Sequence, residues 1–162
     1  MKAELTIRQA EPCDRGRLKE IVDLSFPRFF RFFANHSVAD LAEPVLVGAA
    51  GNVIVGFAKL IEFNVGEGKY GCILWIAVHP AFRRRGVALS LTWAGVNRLK
   101  MGGSRAVFAS TQRRNRAALA TLSKAGFGRL GFQGLWRVFG WRVFGFYRDI
   151  WFAPGEVVLA HF

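Results

Sequence analysis

The 162-residue sequence contains only two cysteines and five prolines, and it has no long uninterrupted hydrophobic run. Cys13 and Cys72 are far apart and match no metal-ligand spacing, so we expect two reduced thiols and no metal site. Charged residues or glycines interrupt every apolar stretch before it reaches the about 20 residues that a membrane-spanning helix needs. The opening residues also lack the apolar block of a signal peptide, and we therefore expect a cytoplasmic protein without a transmembrane segment.

Carboxylates are scarce in the second half of the chain. Residues 1–69 carry nine Lys or Arg and nine Asp or Glu, whereas residues 70–162 carry fourteen Lys or Arg and only Asp149 and Glu156. The second half therefore holds the entire net charge of +12. Such a charge attracts anions, including polyphosphates, nucleic acids and acidic protein surfaces. It also means that a carboxylate base has to come from the first half or from the final strand.

The first half of the sequence predicts strands around helices. Leu5 and Ile7 alternate with polar neighbours as in a half-buried strand, and a helix is predicted from about Pro12 to Leu24. Residues 44–63 read as two strands joined by a Gly-Asn turn. The segment Ile73–Val78 is apolar on both faces, which is typical of a central strand covered on both sides.

The second half alternates between helical and strand periods. Apolar residues recur at helical spacing after Gly86, and Gly102 and Gly103 end that helix. Asn115 is a suitable N-cap for the next helix, and Gly126 supplies its C-terminal stop. Short apolar strands lie before and after this helix, and one more ends the chain. Alternation of this kind predicts an α/β sheet with helices on both faces.

Two aromatic segments leave alternatives open. In "SFPRFFRFFANHS", the residues Phe26, Phe29, Phe30 and Phe33 fall on one helical face, which would either pack on a sheet or form an aromatic wall of an acceptor pocket. The pentapeptide "WRVFG" occurs at 136–140 and again at 141–145, and neither strand nor helix period fits it cleanly. Its arginines and aromatics could line a substrate mouth, stack on a base or touch a membrane surface. We interpret it first as a twisted hairpin that covers one end of the sheet.

The stretch "HPAFRRRGVALS" joins the apolar strand to the following helix. Backbone N–H groups at a helix N-terminus are unpaired and the helix dipole adds positive charge there, so an anion can bind. Gly86 removes a Cβ where the loop enters the helix, and the arginines around it attract the anion. The stretch contains neither a Walker-type Gly-Lys-Ser/Thr nor a G-x-G-x-x-G turn. A pyrophosphate suits this cradle, and a solvated basic loop is the alternative.

Two motifs in register identify a family resemblance. "VHPAFRRRGVA" after the apolar strand resembles the acetyl-coenzyme A (acetyl-CoA) motif of the GNAT superfamily of N-acetyltransferases, whose core is Gln/Arg-x-x-Gly-x-Gly/Ala. "NRAALATLSKAGF", which begins 27 residues after Ala88, resembles the second motif of that superfamily. The two motifs and their strands cover residues 70–132. The resemblance implies one α/β acyl-CoA N-acyltransferase domain over residues 1–162, with a mixed six- to seven-stranded sheet, a splayed central strand pair and an aromatic and basic insertion at about 133–152.

The resemblance also implies which residues bind the coenzyme. The strand before the loop pairs with the pantetheine arm, main-chain N–H groups at the loop hold the pyrophosphate, and the start of the second-motif helix contacts the pantetheine and thiol end. Carried over to this sequence, the coenzyme-binding residues are Ile76, Ala77, Val78, Arg83, Arg84, Arg85, Gly86, Val87, Ala88, Asn115 and Ala118. The acceptor amine enters near the first two helices and the final hairpin, where Phe29, Phe30 and Phe33 are the candidate substrate-binding residues.

The acid and base of the reaction are less well marked. Leu122 stands where the family commonly has a tyrosine that protonates the departing thiolate, so we assign that role to Tyr147 or to water. Glu62 is the candidate base, with Glu67, His36 and an ordered water as alternatives. We interpret His79 as structural.

The predicted function is therefore transfer of an acetyl group from acetyl-CoA to a primary amine, either a protein N-terminus or lysine or a small amine. A catalytically weak or silent acyl-CoA-binding regulatory module is the alternative, favoured by Leu122 and by the absence of a glutamate on the coenzyme-binding strand. The basic second half could also bind nucleic acid, but it contains no recognised nucleic-acid motif, and we expect no specific nucleic-acid partner. We expect a monomer or a homodimer.

Overall fold

A computed structural model of the chain describes residues 4–162. Within that range the strands are β1 (Leu5–Gln9), β2 (Val45–Ala50), β3 (Val53–Val65), β4 (Gly68–Val78), β5 (Val107–Gln112), β6 (Gly128–Arg129) and β7 (Glu156–His161). The helices are α1 (Arg15–Ser25), α2 (Arg28–Ala39), α3 (Val87–Met101), α4 (Arg116–Lys124), α5 (Phe132–Phe139) and α6 (Val143–Asp149).

The strands form one mixed sheet in the order β1-β2-β3-β4-β5-β7-β6. β4 and β5 are parallel, whereas β1–β2, β2–β3, β5–β7 and β6–β7 are antiparallel. The predicted α/β class and the six- to seven-stranded mixed sheet are therefore confirmed. Backbone contacts divide the chain into two compact units, the first comprising residues up to Leu60 together with Trp75–Gly95, and the second Ile61–Leu74 with Val96–Phe162.

The first unit is built around the predicted β2–β3 hairpin. Gly51 in its turn has φ +61°, a left-handed conformation that favours glycine. α1 and α2 pack over this part of the sheet, and the buried residues form one hydrophobic cluster. Its members are Ala10, Leu18, Ile21, Val22, Ala34, Val38, Val45, Val47, Ile54, Phe57 and Ala77.

A buried lysine fixes the connection between α2 and β2. The ammonium group of Lys59 donates to the carbonyl oxygens of Asp40 at 2.6 Å and Glu43 at 3.3 Å, and the Glu43 carboxylate lies 3.8 Å away. Burial lowers the pKa of Lys59. These contacts satisfy a charge that would otherwise be costly to bury.

The prediction that the phenylalanine face of α2 packs on the sheet is wrong for two of its members. Phe29 and Phe33 are 70% and 37% exposed, and α2 buries Ala34 and Val38 together with a serine between them. Within α2 the buried face runs through Ala34 and Val38, four residues apart, and Phe29 and Phe33 lie to one side of it. Pro27 precedes Arg28, where α2 starts, so Phe26 lies outside this helix.

The second unit contains the β4–β5 ladder and the strands beyond it. The ladder pairs Gly71–Ile73 with Val107–Ala109, and among the described residues no β4–β5 pair follows Ile73, although β4 continues to Val78. This agrees with the predicted splay after the first part of the strand pair. The second hydrophobic cluster comprises Ile61, Tyr70, Cys72, Ala106, Phe108, Leu135, Phe139, Val143, Phe146, Ile150, Val158 and Ala160.

The prediction of a twisted hairpin at the duplicated pentapeptide is wrong, because this segment forms α5 and α6. Its buried residues recur every three or four positions, as helices require. They are Leu135, Phe139, Val143, Phe146 and Ile150. Five-residue repeats do not match the helical period, so the two copies bury different residues. Phe139 is buried, whereas Phe144 is 66% exposed.

Candidate functional site

The loop after β4 is anchored by His79 in the first unit. The main-chain N–H of His79 donates to the carbonyl oxygen of Val55 at 2.8 Å, and its Nδ1 accepts a hydrogen bond from Ala81 N–H at 3.2 Å. The second contact caps a short 3₁₀ turn over Pro80–Phe82. These contacts agree with a structural role for His79.

Two of the three loop arginines fold back onto the first unit. The Nε of Arg83 donates to the carbonyl oxygen of Val78 at 3.1 Å, and its Nη2 lies 3.4 Å from the hydroxyl of Ser25. The guanidinium of Arg85 lies over the ring of Phe82, 5.4 Å from its centroid. Arg83 therefore holds the loop against the end of β4, and Arg85 supports the 3₁₀ turn.

The main chain between these arginines makes a cradle. Arg84 has φ +62° and Gly86 has φ +81°, so two left-handed residues turn the chain directly before α3. The carbonyl of Gly86 accepts the first helical hydrogen bond, from Ser90 N–H at 3.0 Å. The N–H groups of Val87 and Ala88 therefore lie in the first turn, where helical geometry gives them no acceptor within the helix. A Cβ built on Gly86 would meet no atom within 4 Å, so open space lies beside this backbone.

The end of β4 depends on a close backbone approach. A Cβ on Gly56 would lie 2.8 Å from the carbonyl oxygen of Ala77, which is too close for any residue but glycine, and 3.2 Å from a methyl carbon of Val78. Ala77 and Val78 are buried, and Ile76 is half-buried. The three predicted pantetheine-pairing residues are thus held in a fixed strand.

An aromatic group lies beside the same strand. The ring centroid of Trp75 is 5.3 Å from that of Phe26 and 6.3 Å from that of Phe30, and Phe29 packs edge-on against Phe30 at 5.4 Å. Phe29 and Phe33 are also 5.4 Å apart. The structure therefore brings the three predicted substrate-binding phenylalanines together.

Trp75 is a residue that the sequence interpretation missed. Its indole Nε1 is buried and finds no hydrogen-bond partner among residues 4–162. Buried indole N–H groups usually have an acceptor, so this donor suits a polar atom of a ligand. The available signal was a tryptophan directly before Ile76, in the segment Ile73–Val78 that otherwise contains only aliphatic residues.

The second-motif residues lie in the second unit. The Oδ1 of Asn115 accepts a hydrogen bond from the N–H of Ala118 at 3.1 Å, which confirms Asn115 as the N-cap of α4. Leu122 is buried in the same helix, so the position that would carry a tyrosine is filled by a core side chain. Gly126 has φ +88° and ends the helix as predicted.

The two candidate catalytic residues have different surroundings. Tyr147 is half-buried, with its ring 4.7 Å from Phe152, and burial raises the pKa of its phenol. The carboxylate of Glu62 pairs with the ammonium of Lys69 at 2.9 Å, and that ammonium also donates to the carbonyl oxygen of Gly102 at 2.8 Å. Glu62 is therefore tied to the second unit at the end of α3.

Comparison with known proteins identifies the family. The model of the acetyltransferase (GNAT) family matches residues 10–127. The chain belongs to this family. No curated protein is similar enough in sequence to count as a match.

Several solved structures share the fold of this GNAT protein. The ribosomal-protein-S18-alanine N-acetyltransferase of Escherichia coli is 17% identical, with a TM-score of 0.68 over 97% of this chain and 92% of that one. An acetyltransferase of Bacillus subtilis in complex with CoA is 16% identical, with a TM-score of 0.67 over 97% of each chain. The PaiA N-acetyltransferase of Thermoplasma acidophilum, also in complex with coenzyme A, is 11% identical, with a TM-score of 0.67 over 97% of this chain and 98% of that one.

Other classes of site are not seen in the described part of the chain. No three His, Cys, Asp or Glu side chains of residues 4–162 converge as metal ligands. None of the helices described above is both long and apolar enough to cross a bilayer.

Proposed function

We propose that this chain is an N-acetyltransferase that moves the acetyl group of acetyl-CoA to a primary amine. The observation that carries the proposal is the pair of left-handed residues, Arg84 and Gly86, which turns the chain into the N-terminus of α3. Its open backbone face suits a pyrophosphate, since phosphate oxygens accept hydrogen bonds from N–H groups at a helix start. Family membership supports the same coenzyme, and relatives have been crystallised with it.

By resemblance to the family, we assign each part of that coenzyme to residues of this chain. The N–H groups of the cradle, from Arg84 to Ala88, would hold the pyrophosphate, with Arg83 and Arg85 keeping the loop in place. The main chain of Ile76, Ala77 and Val78 would pair with the pantetheine amides. Asn115 and Ala118 would stand near its thiol end. Bound acetyl-CoA supplies an acetyl group activated as a thioester.

The chain's own contribution to the transfer is positioning and polarisation. N–H groups at the end of β4 would donate to the carbonyl that the amine attacks, and the fixed strand would keep both reactants oriented. Tyr147 is the proposed acid, because its phenol is protonated at neutral pH and is one of the two tyrosine side chains of the sequence. Glu62 is the candidate base, and its ion pair with Lys69 would first have to break. A water is the alternative acceptor of the amine proton.

The acceptor is proposed to enter along the aromatic group of the first unit. Phe29, Phe30 and Phe33 present apolar surface beside Trp75, whose indole N–H would donate to a carbonyl of the acceptor. This combination favours a peptide N-terminus or another amine with apolar substituents over a small, highly charged amine. Peptide acceptors have a precedent in the E. coli neighbour, which is an alanine N-acetyltransferase.

We further propose that residues 1–162 act as one acetyltransferase domain, because the family match includes residues of both units. Cys13 is exposed and neither it nor Cys72 is in a disulfide, which suits a reducing compartment such as the cytoplasm.

An acceptor screen tests the activity directly. The purified chain is mixed with acetyl-CoA and with peptides of different N-termini, lysine peptides, polyamines or free amino acids, and thiol release and product mass are recorded. We expect acetylation of peptide N-termini, and loss of it in Gly86→Asp. An inactive chain that still binds CoA in calorimetry would instead support the silent acyl-CoA-binding module, which the buried Leu122 favours. A folded chain that does not bind CoA would refute both.

A further inference from the structure

The outer side of α5 and α6 exposes aromatic side chains that the proposed function does not use. Every third or fourth residue of this segment is buried in the second hydrophobic cluster, whereas five large apolar residues before and between them are exposed. These exposed residues, called here the aromatic surface, are Phe132, Trp136, Val138, Trp141 and Phe144. Trp141 is 73% exposed, an unusual position for so large an apolar side chain.

The same segment carries positive charge. Arg137, Arg142 and Arg148 lie on it, and no carboxylate occurs until Asp149, whose Oδ1 accepts hydrogen bonds from Nε and Nη2 of Arg148 at 3.0 and 2.9 Å. Arg137 and Arg142 are exposed. The second unit as a whole has twelve Lys or Arg against four Asp or Glu, so its surroundings reinforce this charge.

We propose that the aromatic surface binds the face of an anionic phospholipid bilayer. Tryptophan and phenylalanine side chains partition into the boundary between headgroups and acyl chains, and arginines beside them bind headgroup phosphates. The charge is complementary to that of an anionic leaflet, which attracts basic segments within about one Debye length. The contact is peripheral, because the short helices α5 and α6 only lie on the membrane. This inference does not depend on the proposed acetyl transfer.

Two other occupants fit the surface less well. A single-stranded nucleic acid needs open ring faces for stacking, but the guanidinium of Arg142 lies 5.6 Å from the centroid of the Trp141 ring, and the Trp136 ring packs against Phe132 at 5.9 Å. A second copy of the chain would bring the same arginines together across a two-fold axis. The acidic residue at this surface is already held by its neighbour Arg148.

Vesicle co-sedimentation tests the proposal with the full chain. We expect binding to phosphatidylcholine vesicles that contain phosphatidylglycerol, weak binding to pure phosphatidylcholine, and a loss of affinity as salt is raised. Each arginine at an anionic surface contributes about a fivefold gain in affinity, so Arg137→Gln/Arg142→Gln should weaken binding roughly 25-fold. The charge-matched control Arg98→Gln/Arg105→Gln changes two exposed arginines outside the aromatic surface and should bind nearly as the unmodified chain does.

The apolar part of the contact is tested by Trp141→Ser and, separately, Phe144→Ser, each expected to weaken binding about tenfold. Met101→Ser is the control, since Met101 is 87% exposed but lies at the end of α3. CoA binding and circular dichroism establish that each variant is folded.

Four results would overturn the proposal. The first is equal binding to neutral and anionic vesicles, and the second is an equal loss of vesicle binding in Arg98→Gln/Arg105→Gln and in Arg137→Gln/Arg142→Gln. The third is unchanged vesicle binding in both Trp141→Ser and Phe144→Ser. The fourth is a dimer that forms without vesicles and dissociates in Trp141→Ser. Binding of a single-stranded oligonucleotide that is lost in Trp141→Ser, with no vesicle binding, would assign the surface to nucleic acid instead.

Discussion

Replacing Gly86 by alanine is expected to change two separate quantities, the free energy of unfolding and the affinity for CoA. At φ +81° an L-residue costs roughly 1–2 kcal/mol, so Gly86→Ala should lower the free energy of unfolding by about 1 kcal/mol. Its methyl group meets no protein atom and enters the open space that the pyrophosphate is proposed to fill. Loss of one hydrogen bond to a charged oxygen is worth about 1.5–3 kcal/mol, which predicts CoA binding weakened about 10- to 100-fold.

Gly51→Ala is the matched control. Gly51 has φ +61°, and a Cβ built on it also meets nothing within 4 Å, but it lies in the β2–β3 turn away from the coenzyme loop. Both variants should therefore lose similar stability in chemical denaturation. Only Gly86→Ala should lose affinity for CoA in isothermal titration calorimetry.

Two outcomes would contradict this reasoning. If Gly86→Ala kept full affinity for CoA, the space beside Gly86 would not hold the pyrophosphate. If Gly51→Ala lost as much affinity as Gly86→Ala, the effect would come from general destabilisation and not from the cradle.

Four further predictions concern single side chains. Asn115→Ala should lower the free energy of unfolding by about 1 kcal/mol through loss of the α4 N-cap, whereas Asn115→Asp should keep the cap. Thermal denaturation of the two variants measures this difference in stability. The hydrogen bond from Arg8 holds the pKa of Asp14 below its usual value. The Asp14 carboxylate therefore contributes its full stabilisation above the usual aspartate pKa, and this stabilisation is lost as pH falls through the lowered pKa of Asp14. Asp14→Asn should therefore flatten the acid side of a plot of unfolding free energy against pH. If Tyr147 is the acid, Tyr147→Phe should lower kcat and remove the alkaline limb of the pH profile of kcat. If Glu62 is the base, Glu62→Gln should lower kcat, and unchanged kinetics in this variant would assign the role of base to water.

The backbone geometry of the proposed coenzyme site could be predicted from sequence because its determinants are local. A glycine that needs a left-handed φ, a helix start and an N-cap each depend on a few consecutive residues. Gly86 and Asn115 have the backbone geometry and the cap that these rules predict. What the rules do not give is the direction of a long side chain. The side chain of Arg83 folds back on the carbonyl oxygen of Val78, and nothing in the local sequence indicates this direction.

The acceptor side and the last two helices depended on contacts distant in sequence. Pro27 divides the phenylalanine segment, and the packing of α2 rests on Ala34 and its neighbours rather than on the largest residues. Trp75 becomes informative only when Phe26 and Phe30 are seen against it and its indole N–H is left without an acceptor. Residue spacing cannot predict these contacts, because it describes one segment of the chain and not the packing between two segments.

The duplicated pentapeptide shows the same limit within a single segment. In the first copy Phe139 is buried and Val138 is exposed, whereas in the second copy Val143 is buried and Phe144 is exposed. The valine and the phenylalanine thus exchange places between the two copies, because five residues advance a helix by about one and two-fifths turns and the burial pattern continues at its own period. Gly140, with φ +57°, joins the copies and permits the change of direction between them. Trp136 and Trp141 are both exposed, so the repeat changes which apolar side chain is buried while the tryptophan of each copy stays at the surface.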